Sequence, residues 1–291
     1  MDQSFQDIIV GVHGEKGKEW LTHFSTLKKE VEDRFEINIE ETFKLSYNFV
    51  AKAVHRKTKA PVVVKMGVPN EELTLEMLAL QAFNGRGAIS LIDKDDSLGA
   101  FLLPYIQGEQ HGSLTNVEAT IAVMKDLPII EKQIDHFPTV HKLFQAFHKH
   151  RVRNGGTSGV IDPVIFHEAE RMVDDLLSSE KYRCLLHGDL HGGNIMHDRL
   201  QWIMLDPKGV AGEREFEPAQ FFLNAPLDLL ANSKVMDGWL RKFESTLHLE
   251  RNRVLAWAFC KGVLSSVWSI ESNEQNWQWA IKRAEIIKSY M

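Results

Sequence analysis

Residues 186–208 read LHGDLHGGNIMHDRLQWIMLDPK, and this stretch decides the fold. Asp189 and Asn194 stand five residues apart in a segment with glycines at 188, 192 and 193. The apolar run Trp202-Ile203-Met204-Leu205 then ends at Asp206. A short run of this kind, following a polar turn, reads as a strand. The order is therefore carboxylate, amide, then a second carboxylate at a strand end. Phosphoryl transfer has a use for each. One carboxylate takes or orients the acceptor hydroxyl's proton, and the amide and second carboxylate hold magnesium on a triphosphate. Magnesium takes few protein oxygens and completes its shell with water and phosphate, so Asn194 and Asp206 suffice as its ligands. Asp189 is the candidate catalytic residue.

The bland alternatives are a loop and a metal cluster. An Asp beside Gly is commonly an Asx-turn residue, so His187-Gly188-Asp189 alone carries little. The three spaced groups together carry the reading. His187, His191 and His197 lie in a loop and hairpin rather than on one helix face. No Cys neighbours complete a zinc set. His187 reads as a packed residue supporting the loop and the Asp206 turn, and His197 as exposed.

The stretch resembles the aminoglycoside phosphotransferase family within the protein-kinase-like fold. His187-Gly188-Asp189 is similar to the family's H-G-D, and Asn194 stands where its catalytic-loop Asn belongs. Asp206-Pro207-Lys208-Gly209, in place of Asp-Phe-Gly, is similar to the streptomycin 6-kinase and hydroxyurea phosphotransferase branch. The similarity extends through Gly212, Phe216 and Glu217, where that branch usually shows Asp. The resemblance implies an α+β, two-lobed protein-kinase-like fold. A small antiparallel-sheet lobe, residues 1–105, would bind nucleotide. A larger, mainly helical lobe, residues 106–291, would carry catalysis and substrate binding. It implies magnesium, ATP as co-substrate with GTP left open, and a hydroxyl acceptor of the streptomycin type, as in an antibiotic-resistance kinase.

Further residues follow from the same resemblance. Lys65 ends the apolar strand Val62-Val63-Val64 and matches the family's phosphate-binding lysine, which pairs with a helix glutamate. In the helix beginning near Asn70, Glu76 lies closer in phase to the stripe of Leu73, Met77 and Leu80 than Glu72 does, and a charge beside an apolar stripe needs a partner. Glu76 is therefore the expected partner of Lys65. Pro104 to Gly108 reads as the hinge, with Leu103, Tyr105 and Ile106 offering backbone groups to an adenine edge, because Pro104 donates no hydrogen bond. The glycine-rich phosphate loop of protein kinases is absent from Lys44–Phe49. Ser46 and Asn48 are the polar groups there, open to a phosphate role or to a plain hairpin turn.

Composition is that of an ordinary globular protein. The chain has 291 residues, 44% hydrophobic and 25% charged, with a formal charge of −6. Non-specific nucleic-acid binding needs clustered Lys and Arg, so no nucleic-acid partner is expected, and a cationic or polar small molecule suits the charge better. The two cysteines, Cys184 and Cys260, form no disulfide framework and fit a reducing cytoplasm. No signal peptide or membrane span is expected, and oligomeric state is not legible in one chain.

The remaining chain reads as scaffold. Residues 4–35 are expected to be helical, broken near Gly14 and Gly17. Phe43 to Val54, Pro61 to Met66, Ile89 to Ile92 and Gly99 to Pro104 are expected strands. Helices are expected over 115–126, over 138–151 and from Asp162-Pro163 onward, with a mobile loop at 151–159. Glu213 and Glu215 read as a solvated charge run, and Glu217 as an acid with either a bracing or a substrate role. Trp239, Trp257, Trp268, Trp277 and Trp279 read as core. Glu271 and Glu274 are substrate-facing candidates by analogy alone. Two other functions stay open: a kinase for another hydroxyl metabolite (amino-sugar, choline-like or ketoamine), and a non-catalytic nucleotide-binding regulator.

Overall fold

The computed structural model describes residues 3–110, 116–132, 134–198 and 201–291. The chain divides into two compact units, residues 1–107 and 108–291.

The first unit opens with helices α1 (Gln3–His13) and α2 (Glu15–Arg34). Strands β1 (Ile37–Thr42), β2 (Phe49–His55) and β3 (Pro61–Met66) follow, then α3 (Glu71–Phe83), β4 (Asp93–Asp95) and β5 (Ala100–Pro104). The strands form one antiparallel sheet in the order β1-β2-β3-β5-β4. Phe49, Ala51 and Ala53 alternate inward along β2, the period a half-buried strand requires. The apolar face of α2 covers them. Trp20 stacks edge-on with Phe24 and Phe24 with Phe49, each pair at 5.0 Å between centroids. The helix break falls at Gly14, whose φ of +58° suits a residue without Cβ. Gly17 lies inside α2 instead. A Cβ there would come 2.5 Å from the Ile9 carbonyl oxygen, so this glycine lets α1 pack closely on α2.

Two strand expectations are corrected. Residues 43–48 are not strand; Phe43 and Tyr47 are exposed, so no burial holds an extended pairing there. β2 pairs upstream with β1, Ile37 opposite His55, as well as with β3 across the 55–59 turn. The strand expected at 89–92 lies at Asp93–Asp95, where Arg34 pairs with Asp93 at 2.9 Å and Asp95 at 3.2 Å. An ion pair fixes this edge, and apolar periodicity could not report it.

The second unit holds β6 (Glu109–Gln110), α4 (Val117–Asp126), α5 (Val140–Arg153), α6 (Pro163–Ser178), β7 (Cys184–Leu186), β8 (Ile195–Asp198), β9 (Gln201–Met204) and β10 (Val210–Gly212). Helices α7 (Ala219–Leu223), α8 (Leu227–Leu230), α9 (Ser233–Leu247), α10 (Arg251–Glu271) and α11 (Trp277–Lys288) complete it. β8 and β9 make a hairpin extended by β6, while β7 pairs with β10. Side-chain caps start the helices: Asn116 accepts from the Ala119 amide, Thr139 from Lys142 and Asp162 from Val164.

The centre of the unit is α10, packed by α5, α6, α7, α9 and α11. Among the described residues it is the helix long and apolar enough to cross a membrane, and most of that length is buried within the protein. A core helix hydrophobic on all sides has that composition. Trp239 and Trp257 are core, but Trp268 and Trp279 are exposed and Trp277 is half-buried, so the core reading fails for those three. The loop at 151–159 carries hydrogen bonds to the end of α5. Asn154 donates to the His150 carbonyl at 2.8 Å, and the His150 ring meets the Ser158 carbonyl at 2.9 Å.

Candidate functional site

In the first unit, the sheet buries Lys65 near the end of β3, opposite Phe101 of β5. Asn70 caps α3 by accepting the Leu73 amide at 2.8 Å, which sets the phase that turns Glu76 inward. Lys65 Nζ lies 2.7 and 2.8 Å from the two Glu76 carboxylate oxygens. The pair is only 6% and 7% exposed. Removing either partner would take this ion pair from a charge that stays buried, which costs several kcal/mol. Glu72, the competing candidate, is exposed. Ser46 lies on an exposed bend between β1 and β2. Leu103 is buried in the β5 ladder opposite Val63. Tyr105 and Ile106 follow the strand end, and Lys52 lies over the Tyr105 ring at 5.3 Å.

In the second unit the quoted stretch folds as strand, loop and hairpin. β7 delivers His187 and Gly188; a short 3₁₀ turn at Gly192–Asn194 then leads into β8. Gly188 has φ +84°, and a Cβ on it would meet Val210 Cγ2 at 2.6 Å. The β8–β9 register, Ile195 opposite Met204, sets Asn194 beside Leu205, whose amide donates to the Asn194 carbonyl at 2.8 Å. Asp206 is the next residue. It is exposed, with φ +54°, a left-handed conformation that Asp tolerates better than most residues. The Asn194 Nδ2 group donates to the Asp189 carbonyl at 3.0 Å. That bond turns the nitrogen end of the amide toward Asp189, and Oδ1 is its acceptor end.

His187 joins the two motifs. Its Nδ1 accepts the Asp189 amide at 3.1 Å, and its Nε2 lies 2.8 Å from the Leu205 carbonyl. A backbone amide only donates and a carbonyl only accepts, so the ring is neutral with its proton on Nε2. Burial accordingly lowers its pKa to about 4. The His187 carbonyl in turn accepts the amides of Lys208 and Gly209 at 2.9 and 3.3 Å. His191 Nδ1 accepts the Gly193 amide, and its Nε2 lies 4.0 Å from the Asp189 carboxylate. Burial lowers the His191 pKa as well. His197, expected to be exposed, is half-buried and packs on Trp202 at 4.5 Å.

The acidic run is a correction. Glu213 and Glu215 are buried, not solvated. Glu213 accepts from Arg253 Nε at 2.6 Å and from the Trp257 indole, and Tyr182 donates to Glu215 at 3.0 Å. Glu217 accepts the His187 and Gly188 amides at 2.7 and 3.0 Å, so it braces the H-G-D turn. Burial raises its carboxyl pKa, opposed by Lys261 and these two amides. Lys261 escaped sequence reasoning. It is a buried lysine on α10 whose Nζ donates to the Gly188 carbonyl at 2.9 Å, 73 residues away. A single cation inside the apolar run Trp257–Val263 was the available signal.

A family model described as aminoglycoside/hydroxyurea antibiotic resistance kinase matches residues 45–273, more than half of the chain. The chain belongs to this family of kinases.

Relatives agree with the assignment. The chain is 25% identical over 271 residues to a streptomycin 6-kinase of Streptomyces glaucescens, covering 89% of this chain and 87% of the relative. It is 28% identical over 235 residues to a hydroxyurea phosphotransferase of Kitasatospora aureofaciens, covering 76% and 66%. The fold matches a thermostable mutant of the aminoglycoside phosphotransferase APH(4)-Ia in its ternary complex with ADP and hygromycin B, with a TM-score of 0.61 at 16% identity, covering 91% of this chain and 98% of that one. It also matches a Plasmodium vivax ethanolamine kinase, with a TM-score of 0.63 at 12% identity, covering 96% and 91%. As a member of this kinase family, the protein is a phosphotransferase acting on hydroxyl groups. Its small sheet-based unit and larger helical unit make the expected α+β kinase-like architecture.

Proposed function

We propose that this family member transfers the γ-phosphoryl group of ATP to a hydroxyl of a streptomycin-type aminoglycoside, with magnesium. The observation that carries the chemistry is the hairpin bond from the Leu205 amide to the Asn194 carbonyl, which sets Asn194 next to the chain segment bearing Asp206. Asn194 Oδ1 and the exposed Asp206 carboxylate are hard oxygen donors, and one or two such groups beside substrate phosphates suit magnesium. They would hold it. When bound, the ion neutralises charge on the phosphoryl oxygens. Among the described residues no group of three or more His, Cys, Asp or Glu offers a metal cage, so magnesium would share its shell with the nucleotide.

The chain's own residues have the following roles. Asp189, half-buried and fixed at its backbone by His187 and Asn194, accepts or orients the acceptor hydroxyl's proton. Lys65, held by Glu76, neutralises the α and β phosphates. The backbone of Leu103, Tyr105 and Ile106 faces the adenine edge, and Ser46 the phosphates. Such a transition state is loose, so positioning and charge matter more than base strength. Both cysteines are free and buried, in keeping with a reducing cytoplasm.

The test is magnesium-dependent ADP formation from ATP with streptomycin, with product mass read for one added phosphoryl group. Transfer by the wild type, lost in Asp189→Ala and in Asp206→Ala, is expected. An Asp206→Ala variant of full activity would overturn the assignment of the magnesium ligands. The hydroxyurea phosphotransferase relative favours a second acceptor, so hydroxyurea is assayed in parallel. Transfer to hydroxyurea alone would replace streptomycin and leave the residue roles in place.

A further inference from the structure

Gly188 has no Cβ to hinder rotation, so the peptide that leads into Asp189 needs outside bonds to hold one orientation. It has two. The Gly188 carbonyl accepts from Lys261 Nζ at 2.9 Å, and the Asp189 amide donates to His187 Nδ1 at 3.1 Å. Lys261 comes from the middle of α10 and is 4% exposed, with its ammonium 4.9 Å from the Phe216 ring. Burying a lysine against one carbonyl is unfavourable unless anions face it. Asp189 and Glu217 both do, and Glu217 is held beneath the same turn by the His187 and Gly188 amides.

We infer that Lys261 is a positioning residue for phosphoryl transfer: by holding the Gly188 carbonyl it fixes the Gly188–Asp189 peptide and so aims the Asp189 carboxylate at the acceptor hydroxyl. This rests on the role of Asp189 proposed above. The ammonium also balances Glu217, so the anion that grips the turn's amides and the cation that grips its carbonyl support each other.

The test is Lys261→Met, which keeps the aliphatic stem and removes the ammonium. In the streptomycin assay kcat should fall about 10²-fold, the scale of a misplaced reacting group, with KM for ATP unchanged. Lys261→Gln, a neutral donor, should recover part of the loss. Amide exchange read by mass spectrometry should rise in the peptide spanning 186–191 and stay constant in α6. If Lys261→Met does not fold, Lys261→Gln carries both readouts. A folded variant with wild-type kcat overturns the inference. If the wild type does not phosphorylate streptomycin, the acceptor is wrong, and exchange alone still decides Lys261: an unchanged 186–191 peptide overturns it.

Discussion

His187 Nε2 lies 2.8 Å from the Leu205 carbonyl, so one neutral imidazole ties the turn before Asp189 to the strand end before Asp206. The neutral state has a consequence for pH. Burial lowers the ring's pKa from its ordinary 6.5 to about 4. Between those values the unfolded chain takes up a proton that the folded chain refuses, so folding weakens as pH falls through that window. The full difference is on the order of 3 kcal/mol. The melting temperature of the wild type should fall between pH 6.5 and 4, and that of His187→Gln should fall less over the same range. Parallel curves for the two proteins would refute the assignment.

The Lys65–Glu76 pair predicts a specific non-additivity. Glu76→Ala removes this ion pair from a buried ammonium and should cost about 3 kcal/mol in urea unfolding. Lys65→Met with Glu76→Leu removes both charges and should cost less than Glu76→Ala alone. Nucleotide tests the role itself: Lys65→Met should lower kcat/KM for ATP about 10²-fold, the scale of one preorganised charge-stabilising group.

Gly188→Ala meets two obstacles, a φ of +84° and Val210 Cγ2 at 2.6 Å from the new Cβ. The expected loss of stability is about 2 kcal/mol, the range for forcing a side chain into that backbone region. Denaturant midpoints check it, and an unchanged midpoint would mean the turn can flip.

Arg253→Met should also destabilise by about 3 kcal/mol, because it leaves the buried Glu213 with Trp257 as its remaining described donor. Burial already raises the Glu213 carboxyl pKa. A raised carboxyl favours folding at low pH and loses that contribution as pH rises through the folded value. The deficit of Arg253→Met relative to wild type should therefore widen from about pH 5 to about pH 8. A deficit that narrows with rising pH would contradict the burial of an anion there.

What was legible in the sequence was what the chain keeps local. Asp189, Asn194 and Asp206 fall in one loop and hairpin, so their order and spacing carry the arrangement. Glu76 was legible through helix phase, because a charge on a buried stripe must answer to a partner. The acids at 213 and 215 were misread because their partners, Arg253, Trp257 and Tyr182, lie 33 to 44 residues away and no period connects them. Lys261 was missed for the same reason. The strand at 93–95 was misplaced because Arg34 decides it from across the unit. Long-range polar pairs leave no periodic trace, whereas apolar faces do.

The segment from Asp206 to Pro218 has a further meaning for control. It contains no Ser, Thr or Tyr, so it offers no hydroxyl on which another kinase could write a phosphate. Three of its carboxylates are already spent on Arg253, Trp257, Tyr182 and the amides beside Asp189. The stretch that follows Asp206 is thereby tied to α10 and to the turn before Asp189 by side chains rather than left as an unbonded loop.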